Sequence, residues 1–276
     1  NDVFSLLKRF NHSWDEVFYV MLCRNFGVGV NGDAFERLAL SLPFKLLLKH
    51  SDEIVSVEAL LFGQAGLLEQ TVAGDEYHAM LKSEYAFMKA KYSLKGLDAY
   101  LFRRLRVRPR AFPELRIAQL ASLLHSSGRL FSVMLEEKDH HQLIERFQTE
   151  PSAYWQTRFA FGRESALTPK KMGRGSLEVI LINTDVPLLF AYGRSVSDET
   201  YIDRALHFLE ALKPERNAIV NEFSDAGVVA QNAADSQALV QLRREYCEKR
   251  ECLACQIGHN VLSKTQTVKG MNRETN

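Results

Sequence analysis

The chain has 276 residues, with 35 Lys and Arg against 34 Asp and Glu, so its formal net charge is +1. Hydrophobic residues at 46% and charged residues at 25% are the mixture of an ordinary globular domain, which excludes a disordered or collagen-like chain. No run of about 18 apolar residues occurs, so no membrane span is expected, and a near-neutral chain acts on polyanions only through a local basic face.

Helical periodicity dominates from the N-terminus. Ser13 followed by Glu16 reads as a capping box, with Val17, Phe18, Met21, Leu22 and Phe26 recurring behind it at helical spacing. Asn31-Gly32-Asp33 opens a second helix with Phe35, Leu38 and Leu42 inward. Ser51-Asp52-Glu53 caps a third, carrying Ile54, Val57, Leu60 and Leu61. Gly63 and Gly66 near its end mark a bend or a close backbone approach. Asp75 to Lys91 reads as an amphipathic helix. A break spans Leu105 to Pro113, and Pro113 suits the first position of the next helix, where no N–H is needed. Leu130 to Phe147 is helical with an interruption near Asp139-His140-His141.

Gly162 to Gly175 is polar and basic and reads as a loop. Ser176 to Tyr192 is strongly apolar, with Pro187 expected to kink or break it. Ser197 is placed as the cap of Tyr201 to Leu212, and helices over 217–223 and 233–246 follow. The fold expected is all-α, a multi-helix globular bundle of ten to thirteen helices. Its parts are an N-terminal helical lobe over 1–128, a C-terminal helical lobe over 129–264 and an extended tail over 265–276.

The opening NDVFSLLKRF lacks the basic start and long apolar stretch of a secretory signal. Four cysteines are too few for a disulfide framework, so the cytoplasm is the expected compartment. Three of them cluster as Cys247, Cys252 and Cys255, with His259 four residues on. Three thiolates and one imidazole satisfy tetrahedral zinc, and Arg243, Arg244, Lys249 and Arg250 favour thiolate over thiol. The alternative is a set of packed structural thiols.

Between Lys89 and Arg116 there are nine basic residues opposed only by Asp98 and Glu114, a balance of 9 − 2 = +7. Tyr92, Tyr100, Phe102 and Phe112 are interleaved. Guanidinium forks suit phosphate and aromatic faces suit bases, so Arg103, Arg104, Arg106, Arg108 and Arg110 are the candidate contacts to DNA or RNA. Arg163, Lys170, Lys171 and Arg174, flanking Gly173 and Gly175 before a helix, form a second patch, of which Lys170, Lys171 and Arg174 join the candidate contacts. The alternative is a solvated face whose charges pair with acidic helices.

No phosphate-binding loop, dinucleotide fingerprint, zinc-protease motif or nucleophile elbow occurs, so no catalytic residues are nominated. The segment reads as non-catalytic.

Several stretches together resemble an uncharacterised bacterial family, one of the domains of unknown function. They are Trp14-Asp15-Glu16 with Arg24-Asn25-Phe26-Gly27, and Glu58-Ala59-Leu60-Leu61-Phe62-Gly63-Gln64-Ala65-Gly66. Arg108-Pro109, Phe112-Pro113 and Arg116-Ile117-Ala118-Gln119-Leu120 follow. Ile182-Asn183-Thr184, Pro187 to Gly193 and the cysteine cluster complete the set. The likeness runs from about Ser13 to Leu262. It implies longer members with an upstream domain similar to restriction endonucleases, and hence a nucleic-acid role for a helical C-terminal portion. A second likeness is to helix–hairpin–helix DNA glycosylases. Met172-Gly173-Arg174-Gly175-Ser176 resembles their phosphate-gripping hairpin, and the cysteine cluster resembles a shortened form of their iron–sulfur loop. That loop needs a fourth cysteine, and none follows Cys255. The expected function is therefore a nucleic-acid-binding module or a positioner of a nuclease, with a protein–protein scaffold and a glycosylase-like repair enzyme as alternatives.

Overall fold

Apolar side chains at helical spacing fold as helices almost throughout. The computed structural model describes residues 3–27, 29–70 and 72–260, and among these it holds 14 α-helices and one small hairpin, an all-α fold. α1 (Val3–Arg9) precedes α2 (Trp14–Phe26), where Ser13 accepts the Glu16 N–H at 3.5 Å. Only half of the expected capping box forms. The Glu16 carboxylate turns instead to the Phe44 and Lys45 N–H groups at 3.0 and 3.3 Å, and so covers the start of α4 (Phe44–Leu48). α3 (Gly32–Ser41) lies along α2, and Leu22, Cys23, Phe35 and Leu38 of the two helices are buried.

α5 (Ile54–Gln64) is the central helix, packed by α6 (Glu76–Tyr92) and α7 (Pro113–Ser126). Val57 through Gly63 are buried on every side, so α5 is apolar all round rather than amphipathic. Pro113 begins α7, as its missing N–H requires. Two helices replace the single interrupted one: α8 (Leu130–Glu136) and α9 (His140–Phe147), the latter capped by Asp139 on the His141 N–H at 2.8 Å.

The stretch read as a loop holds a short antiparallel hairpin, β1 (Arg158–Ala160) with β2 (Arg163–Glu164). Beyond it, α10 (Arg174–Ile180) and α11 (Val186–Val196) form one continuous helix with a widened π turn at Leu181–Asp185. Pro187 does not break this helix. Proline has no N–H to give the Asn183 carbonyl four residues back, and Asn25 Nδ2 of α2 donates to that carbonyl instead, at 3.1 Å. The same amide reaches Thr184 Oγ1 at 2.9 Å. The run Arg174–Val196 is long and apolar enough by composition to cross a membrane. Leu177, Ile180, Leu181, Leu188 and Leu189 are nevertheless buried in the core, and the helix packs against α2.

Ser197 is not the cap of the next helix. It ends α11 in the left-handed conformation, and Asp198 takes the Thr200 N–H at the start of α12 (Glu199–Ala211). The chain divides into two compact units, Asn1–Ala205 and Leu206–Asn276. The expected division at residue 128 lies inside the first unit, because α7 and α8 both pack on α2. In the second unit, Asn217 and Asn232 cap α13 (Ala218–Asp225) and α14 (Ala233–Leu242), and a second π turn covers Arg243–Cys247. The tail over 265–276 lies outside the described residues.

Candidate functional site

The basic segment after α6 is not a loose loop. It is pinned at three places by buried groups of α3, α5 and α7. Gln64, at the end of α5, donates its amide to the Lys95 carbonyl at 2.7 Å, and its own carbonyl accepts the Leu97 N–H at 2.7 Å. Gly66 allows this approach: its φ is +73°, and a Cβ there would stand 2.2 Å from the Leu97 carbonyl oxygen. Asn31, buried at the start of α3, grips the Arg103 backbone on both sides. Its Nδ2 reaches the Arg103 oxygen at 2.9 Å, and its Oδ1 accepts the Arg103 N–H at 2.7 Å. That use explains why the Asn31 side chain leaves the α3 amides uncapped. Phe102 is buried edge-on against Phe35, with ring centroids 5.7 Å apart. Finally, Arg104 forms an ion pair with Glu114, whose fully buried carboxylate sits in the first turn of α7. A turn closes from the Arg104 carbonyl to the Val107 N–H at 3.1 Å, with Arg106 left-handed at φ 62°.

This anchoring turns the arginines outward. Arg103, Arg104, Arg106, Arg108 and Arg110 are all exposed. Arg104 is committed to Glu114, but none of Arg103, Arg106, Arg108 and Arg110 is in an ion pair. Four uncompensated guanidinium groups within eight residues give this segment a concentrated positive field.

The second patch is sorted differently. Lys171 is exposed and unpaired, and Arg174 is exposed but bound to Glu178 at 3.0 Å and to His141. Lys170 is a correction: it is buried, not part of a surface. Its Nζ donates to Ser165 Oγ at 3.1 Å and Thr168 Oγ1 at 2.7 Å and lies 3.5 Å from the centre of the Phe159 ring. Burial, and then the nearby Arg110 charge, hold its pKa below the ordinary lysine value. Before Gly173 the chain is irregular and follows a hairpin, so no helix precedes it as a helix–hairpin–helix requires.

Two polar clusters, one buried and one half-buried, were not visible in the sequence. Glu58, fully buried in α5, accepts from Trp155 Nε1 and Tyr77 Oη through Oε2, both at 3.0 Å, while Oε1 has no partner. Burial pushes its pKa up against these hydrogen bonds. Its one visible signal was a lone acid inside the most apolar helix. Asp75 caps α6 through the His78 N–H at 3.0 Å, and also accepts from Tyr154 and from the Gly162 N–H at 2.9 Å. Against the effect of burial, these bonds and the Arg158 charge hold Asp75 below the usual carboxylate range. A cavity of about 400 Å³ lies over this second cluster, lined by Asp75, Tyr77, Tyr154, Arg158 and Glu164 among others. Its carboxylates outnumber its single guanidinium, so it is no site for a polyanion.

The cysteines converge only in part. Cys247, Cys252 and Cys255 line one apolar cavity of about 280 Å³ together with Phe223, Leu239 and Ile257. His259 is exposed and does not line it. Among the described residues, no three His, Cys, Asp or Glu side chains are grouped so as to hold a metal ion. The expected four-ligand set is therefore not assembled. The cause is local: Cys247 ends a π turn, Cys255 is buried at the start of a short helix, and the other side chains that line the cavity are mostly apolar.

Among known proteins, a family model described as a protein of unknown function (DUF2851) matches residues 1–218. No curated protein and no solved structure matches the chain. The matched stretch contains the basic segment and all its anchors, and it ends before the cysteine cluster.

Proposed function

The chain belongs to the DUF2851 family, and we propose that it is a non-catalytic, cytoplasmic helical module that binds nucleic acid through phosphate contacts of Arg103, Arg106, Arg108 and Arg110. One observation carries the reading. These four guanidiniums are exposed, lack carboxylate partners, and stand on backbone that Gln64, Asn31 and Glu114 hold in place. Arg104 and Arg174, by contrast, are each committed to a carboxylate. Holding the backbone in advance lowers the ordering cost of binding, since only side chains remain to be fixed.

The test is fluorescence anisotropy with labelled DNA and RNA across a salt series. Four phosphate contacts give a slope of log affinity against log salt of about −3. Replacing Arg106, Arg108 and Arg110 together by Ala lowers the slope toward about −1 and weakens every sequence alike. No binding at low salt, or a triple variant that binds like the parent, overturns the reading and leaves a protein–protein scaffold as the better account.

A further inference from the structure

Beside the free arginines the surface is concave. A cavity of about 340 Å³ is lined by Tyr100, Arg104 and Gln70, among others. Tyr100 is 78% exposed, far more than a tyrosine placed for packing. Its ring stacks on no neighbour and its hydroxyl has no partner, although the chain around it is pinned by Gln64 on one side and Asn31 on the other. Leu105, 83% exposed, extends the same apolar exposure among the arginines. Arg104 reaches the cavity while its ion pair with Glu114 restrains the guanidinium plane. The Gln70 amide is unengaged and offers both a donor and an acceptor.

Resting on the nucleic-acid reading above, we infer that this cavity receives an unpaired base, so that the ligand is a single strand rather than a duplex. In a duplex the base faces are consumed by stacking, and only phosphates and groove edges are offered to a protein. An exposed tyrosine face has nothing to stack on there. In a single strand each base carries a free π-face, and a pinned aromatic beside a row of arginines is the pairing of groups that takes base and backbone together. The Tyr100 ring supplies the stacking face, Gln70 meets a base edge, and Arg103, Arg106, Arg108 and Arg110 carry the phosphates.

The test uses the full chain and three labelled probes of equal length: a mixed-sequence single strand, the same strand annealed to its complement, and a strand of abasic residues. The expected result is that the single strand binds more tightly than the duplex. Tyr100→Ala weakens the single strand about tenfold, in line with the loss of one base stack. The same variant leaves the duplex, the abasic strand and the salt slope unchanged, and Tyr100→Phe binds like the parent. At 78% exposure the side chain can be truncated without touching the core. If Tyr100→Ala binds the single strand like the parent, or if Tyr100→Phe is as weak as Tyr100→Ala, the inference falls. Should duplex and single strand bind equally well with the full salt slope, it also falls, while the arginine reading stands. Absence of binding to any probe at low salt removes both.

Discussion

Asp185 is a carboxylic acid in the wrong solvent. It is fully buried in the π turn between α10 and α11, and neither oxygen has a partner. Burial raises its pKa well above the ordinary carboxylate value, so the folded chain holds a proton that the unfolded chain releases. The sign follows from that difference. Above the unfolded pKa of about 4, the native state binds more protons, and stability falls as pH rises, by up to about 1.4 kcal/mol per pH unit until the raised value is reached. Asp185→Asn removes this slope. Urea unfolding compared at about pH 5 and about pH 7 checks it: the variant should gain on the parent as pH rises, and a parallel pair of curves would contradict the account.

At the level of elements, the basic segment depends on how closely it approaches the end of α5. Gly66→Ala adds a methyl 2.2 Å from the Leu97 oxygen at a residue with φ +73°. It should lower stability by about 1–3 kcal/mol, seen as a reduced thermal midpoint, and loosen the arginines enough to weaken nucleic-acid binding. Arg106→Gly separates the two properties. Relief of the left-handed arginine at φ 62° offsets the extra chain entropy of glycine, so stability should stay within about 1 kcal/mol of the parent. Binding should still weaken, because one free charge is gone. Element identity was largely legible in the sequence, since Asp75, Asn217 and Pro113 act on their own helices. Asn31 opens α3 as expected, with its side chain spent on Arg103, while Glu16 and Ser197 misled because each spends its side chain or backbone on something other than the cap its position suggests. The outward arginines were readable from charge alone. Lys170 was not, because the groups that bury it, Phe159, Ser165 and Thr168, meet it only after the hairpin folds. Tyr77, Tyr154 and Trp155 were equally silent, for their carboxylate partners lie 19 to 97 residues away.

For the molecule as a whole, every anchor of the basic segment falls within the first compact unit and within the family match over 1–218. A chain ending at residue 218 should therefore keep the parent's nucleic-acid affinity and salt slope, and anisotropy on the shortened chain checks this. The bond from Asn25 to the Asn183 carbonyl has a wider consequence. It joins residues 158 apart, and it satisfies a group that Pro187 leaves without a partner inside the helix itself. The α10–α11 helix is thus completed by α2 and not by its own sequence. During synthesis the N-terminal helices leave the ribosome first and are waiting when the apolar stretch emerges, so the orphan carbonyl is met at once. Refolding from denaturant has no such order: the chain must first close a loop of that length, with Leu188, Leu189 and their neighbours open to other chains. The order in which the chain is made, as well as the final contacts, thus bears on how this helix is completed.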